Sequence, residues 1–114
     1  MIKTKEERSV RVRENDAGAV KMSFDDLCPF DGVNPKVRMY SHIRLNAGEE
    51  VAYHVHTGEF ESYYILTGKG LYQDDEEFVE VEAGTVTFTP SGHGHGLKNT
   101  GDEVLEFIAL IVVD

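Results

Sequence analysis

The 114-residue chain has a single cysteine, only three prolines, and 11 lysines and arginines against 21 aspartates and glutamates. It also lacks any apolar run approaching the length of a membrane span. Each shortage excludes something. One cysteine, Cys28, rules out an internal disulfide and fits a reducing compartment. Asp25, Asp26 and Asp31 around it disfavour a thiolate, so Cys28 reads as an apolar filler rather than a nucleophile. A formal net charge of −10 repels phosphate backbones and argues against nucleic-acid binding. The opening MIKTKEERSVRVREN is basic in places but has no apolar stretch behind it, so it does not read as a signal peptide. These absences point to a cytoplasmic protein with no membrane partner. No serine stands beside a histidine in a triad-like arrangement either, so chemistry by a side-chain nucleophile is not expected.

What is present is ordinary globular material: 40% hydrophobic and 28% charged residues, in a length that suits one domain and buries a core without disulfides. Residues 1 to about 17 are polar and read as an exposed arm. Residues 18–36, GAVKMSFDDLCPFDGVNP, hold a short apolar stretch and then turn residues, which suits an edge strand or a lid. The expected division is therefore 1–36, arm and edge segment, and 37–114, one barrel. From residue 37 onward no segment has a helical apolar period. Short extended runs (VRMYSHIRLN, VAYHVH, FESYYILT, GLYQ, FVEVE, TVTFT, VLEFIALIVV) alternate with glycines and polar turns, the SGHGHG run among them. That spacing predicts an all-β sandwich or barrel. FIALIVV is continuously apolar, which suits a strand covered on both sides, in part by a second subunit, and hence a homodimer. The DDEE run at 74–77 reads as a solvated hairpin tip.

Four metal-binding side chains crowd into HVHTGEFE: His54, His56, Glu59 and Glu61. Two histidines one residue apart face the same way on a strand, with Val55 opposite. The Thr57-Gly58 step can turn the chain so that a glutamate swings back toward them. Glu59 and Glu61 share a parity, so alternation leaves open which one does so.

A longer skeleton resolves this through a resemblance. Gly48 to Gly68 reads G, five residues, His54, one, His56, four, Glu61, six, G; Gly84 to Asn99 reads G, five, Pro90, one, Gly92, two, His95, three, Asn99. Together they resemble the two signature motifs of the cupin superfamily, directly over 48–99 and by extension over 37–112. The resemblance implies a double-stranded β-helix, a small jelly-roll barrel. It also implies a divalent transition metal ion (iron, manganese, nickel, zinc or copper) held by His54, His56, Glu61 and His95. It leaves Glu59 as a solvated turn residue and Asn99 as a structural amide. Imidazole and carboxylate donors suit such ions, and four protein ligands leave positions open for substrate or water.

Around this centre, Tyr63 shares the parity of Glu61 and is placed at the substrate pocket, with core filling as the alternative. Phe107 and Ala109 share the face of the last strand that resembles the pocket wall of small cupins. His93 shares the parity of His95 and is a candidate for the pocket mouth, a supporting group or a plain turn residue. Arg44 and Lys98 could hold an anion, but their faces stay open; His42 reads as a partner on the outer sheet. The resemblance implies either a metal-dependent enzyme on a small oxygen-rich metabolite (dioxygenase, decarboxylase, lyase or isomerase), with Glu61 as ligand and base, or a module that binds a small molecule or sugar without turnover. The oxalate-decarboxylase label that some small cupins carry fits poorly, since those enzymes usually have two barrels and a lid glutamate.

Overall fold

A computed structural model describes residues 2–8, 10–14, 20–27 and 34–114. Cys28, Asp31 and the turn residues beside them lie outside the described residues. After a single 3-10 turn at Lys5–Glu7, the elements are β1 (Val10–Glu14), β2 (Val20–Asp26), β3 (Val37–Leu45), β4 (Glu50–Val55), β5 (Glu59–Thr67), β6 (Lys69–Asp74), β7 (Glu77–Glu82), β8 (Val86–Thr89), β9 (Gly94–Lys98) and β10 (Leu105–Val113).

These strands form two antiparallel sheets, one ordered β1-β2-β3-β10-β5-β8 and the other β4-β9-β6-β7. The fold is the all-β jelly roll that the motif skeleton implies. Alternation builds the core: Ile43 and Leu45, Tyr63 and Ile65, and Leu105, Phe107, Ala109 and Ile111 face inward from the large sheet, against Val51, Tyr72, Val81 and Leu97 from the small one. Each large side chain buried this way contributes roughly 1.5–3 kcal/mol.

Two strands come from the first 36 residues. β1 pairs with β2, and β2 pairs with β3 from Ser23↔Arg44 to Asp26↔Ser41. Met22 and Phe24 on β2 are buried in the common core. Arg11 and Arg13 lie opposite Phe24 and Met22 in register, so they share that inward face.

β10 alternates between buried and half-buried positions, so within one chain one face is closed and the other is half open. Its outer residues Ile108 and Leu110 lie in register with Tyr64 and Tyr40, and beyond them Phe88 and Val86 on β8 are exposed. The SGHGHG run is not only a turn, because β9 begins at Gly94 and threads between β4 and β6. Gly96 makes this possible: a Cβ there would stand 3.1 Å from both the Tyr53 nitrogen and the Val51 carbonyl oxygen.

Candidate metal centre

The centre starts with an irregularity in β4. Val51 pairs with Leu97 and His54 with His95, so Ala52 and Tyr53 together oppose Gly96. This is a β-bulge, and it re-aims the strand so that Val51 and His54 both turn inward. The bulge also frees the Ala52 carbonyl, which accepts a hydrogen bond from His54 Nδ1 at 2.8 Å.

His56 follows at the end of β4. Its backbone N–H donates to the His93 carbonyl at 3.0 Å, and Gly92 N–H donates to the His56 carbonyl at 2.7 Å. Gly92 makes that approach with φ +89°, which favours glycine. The two motifs are thereby stapled together beside the site. Glu61 reaches in from β5 and His95 from β9; both are buried, as is His56, while His54 is half-buried.

The four side chains converge. His56 Nε2 lies 3.1 Å from both His54 Nε2 and His95 Nε2, and His95 Nε2 lies 3.2 Å from His54 Nε2. Glu61 Oε1 stands 2.9 Å from His56 Nε2, 2.8 Å from His95 Nε2 and 3.7 Å from His54 Nε2. All four ligand atoms fall within 4.8 Å of one another.

The opposite ring nitrogens are all engaged. A carbonyl or a carboxylate can only accept, so His54 Nδ1 (to Ala52) and His56 Nδ1 (to Glu59 Oε1, 2.9 Å) both carry their protons. His95 Nδ1 sits 2.8 Å from Tyr72 Oη and 3.0 Å from Thr89 Oγ1. In neutral rings this leaves the Nε2 lone pairs of His54 and His56 facing each other and a carboxylate oxygen, an arrangement that repels itself unless a cation lies between them, while the hydroxyls at His95 Nδ1 accept or donate and so allow its Nε2 the same role. The donor set therefore fits a divalent metal ion.

Electrostatics agree. Burial pushes the Glu61 carboxyl up, but the His54 and His95 imidazoles gathered around it more than offset that and hold the group at about 2. The Glu61 carboxylate raises His54, whereas desolvation lowers His95. The guanidinium of Arg38 holds Glu59 below the ordinary carboxylate range.

Beside these donors is a cavity of about 150 Å³, lined by His54, His56, Glu61 and Tyr63 on one wall and by Met22, Phe24, Met39, Ile43, Arg13 and Arg38 around the rest. At ~30 Å³ per water that is space for about five waters, or a ligand of similar size. Tyr63 stacks on His95 with centroids 4.8 Å apart, and burial raises its phenol well above the usual value.

The other residues expected at the pocket are placed elsewhere. Phe107 and Ala109 are fully buried behind Tyr63: Phe107 packs on its ring at 4.6 Å, and Ala109 is its cross-strand neighbour. His93 precedes β9; its ring is exposed and its Nδ1 lies 2.6 Å from Asp75 Oδ2. Arg44 pairs with Glu106 on the outer face, 3.1 Å away, beside His42, and Lys98 is exposed. Glu59 is not simply a solvated turn residue, because its carboxylate joins His56 to Arg38. Asn99 is buried and bonds Leu45 O, Glu103 O and Gly101 N.

Sequence reasoning missed Arg13, Arg38, Tyr72 and Thr89. For Arg13 a signal existed: VRVRE alternates as a strand does. For the others the sequence carries no local mark.

The chain matches the family described as Cupin domain over residues 41–113. It is 34% identical over 113 residues to a Thermotoga maritima protein named oxalate-binding protein, covering 99% of this chain and 93% of that one. A crystal structure of a predicted oxalate decarboxylase from Thermotoga maritima superimposes with a TM-score of 0.90 at 35% identity, covering 100% of both chains. A glucose-6-phosphate isomerase from Thermococcus litoralis is 39% identical over 67 residues, which are 54% of this chain and 35% of that enzyme. Among the described residues, no helix is long and apolar enough to cross a membrane.

Proposed function

The chain belongs to the cupin domain family, and from that premise we propose that it is a metal-dependent cupin enzyme acting on a small oxygen-rich anion, with a short dicarboxylate as first candidate. The observation that carries this reading is the face-to-face set of three imidazole Nε2 atoms and the Glu61 oxygen. His54, His56, Glu61 and His95 hold one divalent first-row transition ion, which when bound polarises ligand oxygens at neutral pH. Among the described residues Glu61 is also the one carboxylate at the cavity, and it is the base. Arg13 and Arg38 offset the ligand's negative charge. Met22, Phe24 and Ile43 keep water from the bound ligand. The name of the Thermotoga maritima relative supports an anion of the oxalate kind.

A second reading, capture without turnover, is favoured by one observation: among the described residues lining the cavity, no carboxylate other than Glu61 is present to move a proton independently of the metal. The same experiment decides both. Protein loaded separately with iron, manganese, nickel and zinc is incubated with oxalate, longer diacids, diketones, catechols and sugars, with and without O2. Calorimetry reads binding and NMR reads products. Turnover that chelation abolishes and one metal restores supports the enzyme; saturable binding with no product from any pair favours the binding module. Absence of metal uptake removes both.

The reading includes a cytoplasmic homodimer. Its support is the apolar outer face around Tyr64, Ile108, Leu110 and Phe88. Light scattering is expected to give twice the chain mass for the wild type and a monomer for Phe88→Glu; a monomeric wild type at micromolar concentration overturns the dimer.

A further inference from the structure

We infer that Glu59 is a positioning residue for the metal centre: it fixes the His56 ring with its Nε2 lone pair toward the other three donors, and it locks Arg38 at the cavity wall. The inference rests on the metal-site reading above and extends it to a residue outside the four donors.

One carboxylate does both jobs. Glu59 Oε1 accepts from His56 Nδ1 at 2.9 Å and from Arg38 Nη2 at 2.7 Å, while Oε2 accepts from Arg38 Nε at 2.6 Å. His56 is buried, with only 4% of its side chain exposed, and Glu59 is 13% exposed. A charge-assisted bond to a buried ring selects one tautomer strongly. Without it, the proton is free to move to Nε2 and point into the cluster. Glu59 is itself excluded as a fifth donor by the same geometry, because it meets His56 at Nδ1 and Glu61 meets the ring at Nε2. The two glutamates thus clasp one imidazole from opposite sides.

Arg38 completes the chain. It stands on β3 and Glu59 opens β5, with β10 between them. The paired bonds use its Nε and Nη2, so Nη1 is the guanidinium nitrogen that Glu59 leaves available, and Arg38 lines the cavity. Glu59 therefore places a metal ligand and a cation for the anion with the same two oxygens.

Full-length protein labelled with 15N-histidine tests this with two readouts. Long-range 1H–15N NMR reports the tautomer of each ring in metal-free and zinc-loaded protein. Cobalt titration against a competing chelator gives metal affinity. In the wild type His56 is expected to be protonated at Nδ1. Glu59→Ala is expected to mix the His56 tautomers, leave His54 at Nδ1–H, and weaken cobalt binding about ten- to a hundredfold. Glu59→Gln, whose amide oxygen still accepts from Nδ1, is expected to restore the tautomer and most of the affinity, and it serves as the folded control if the alanine variant does not fold. A His56 protonated at Nε2 in the metal-free wild type, or Glu59→Ala with wild-type affinity and tautomers, overturns the inference. A wild type that takes up no metal overturns the proposed function instead, and the tautomers of the metal-free variants then decide this inference alone.

Discussion

The two walls of the cavity are built differently. On the metal wall, every donor projects from β4, β5 or β9, or from the residue that ends β4, and each imidazole is held at its far nitrogen, by Ala52, by Glu59, or by Tyr72 with Thr89. At the mouth, Arg13 stands on the outermost strand of the large sheet, exposed, its guanidinium 5.4 Å from the Phe24 ring centroid. The metal wall is largely buried and fixed in advance; the mouth is solvated and carried by long side chains. The difference suits their tasks. Metal donors must hold their geometry before the ion arrives, or the affinity is lost to reorganisation. Arginines that meet a ligand from water lose little by being mobile, and they attract anions over a distance. Arg38 sits between the two, as a mouth residue held by the carboxylate that holds His56.

The largest expected effect comes from breaking the fixed wall. His56→Ala or His95→Ala removes a buried donor outright, so metal affinity should fall by more than the ~10–100-fold typical of losing a supporting hydrogen bond, and the purified protein should hold little metal. Glu61→Ala should lower it as well and leave three lone pairs facing one another. Elemental analysis beside melting curves measures this. Full metal content in any of the three variants would mean the ion sits elsewhere, and the contrast between the walls would go with it.

The same contrast explains what the sequence reveals. His54 and His56 are legible because alternation carries one residue past the end of β4 at Val55, so both side chains reach the centre. The bulge at Ala52 and Tyr53 shifts both together and leaves their relation intact. Glu61 is legible only through the motif skeleton: parity cannot separate it from Glu59, and the structure shows why, since both carboxylates touch the His56 ring, at different nitrogens. The mouth is poorly legible. Arg13 reaches the cavity because β1 lays it beside Met22, a long-range pairing that VRVRE alone does not announce. His93 shares the parity of His95, but its exposed ring is bound to Asp75, as the plain turn reading has it. Phe107 and Ala109 share a face with the pocket wall but lie one layer behind it, covered by Tyr63, and depth is not encoded in alternation. The apolar outer face of the last strand is legible as residues, and a single chain leaves that face half open.

A smaller effect sharpens the comparison from the other side. Arg13→Gln keeps length and hydrogen bonding but removes the charge. It should leave metal content unchanged and weaken oxalate binding to the metal-loaded protein by about tenfold, or ~1.4 kcal/mol. Calorimetry at two salt concentrations separates the contributions: the wild-type affinity should drop with salt more steeply than that of the variant, since an exposed cation is screened. If Arg13→Gln costs metal and not anion affinity, the two walls are not functionally distinct.

The smallest expected effect is a difference between two pH profiles. In metal-free protein, His54 is raised by the Glu61 carboxylate and His93 by Asp75. A raised histidine stabilises the fold fully below its unfolded value and loses that contribution as pH rises through its folded value. His95 and His42 are lowered, both chiefly by desolvation, so they act oppositely: the unfolded chain binds their protons first, and the fold weakens as pH falls below the ordinary histidine range. Glu61, held at about 2, stays ionised and adds no slope until pH falls that far. Two histidines pull each way, so the melting temperature in chelator should change less between pH 5.5 and 7.5 than that of the zinc-loaded protein. Zinc-loaded protein should behave otherwise. The ion needs neutral imidazoles, protons compete for His54, His56 and His95, and the stabilisation by metal should shrink steadily as pH drops over the same range. Thermal melts of both forms across that range give the test. Parallel, steep losses in the two forms would place the pH sensitivity in the fold itself, whereas a shallower metal-free curve under a steeper metal-loaded one assigns it to the fixed wall.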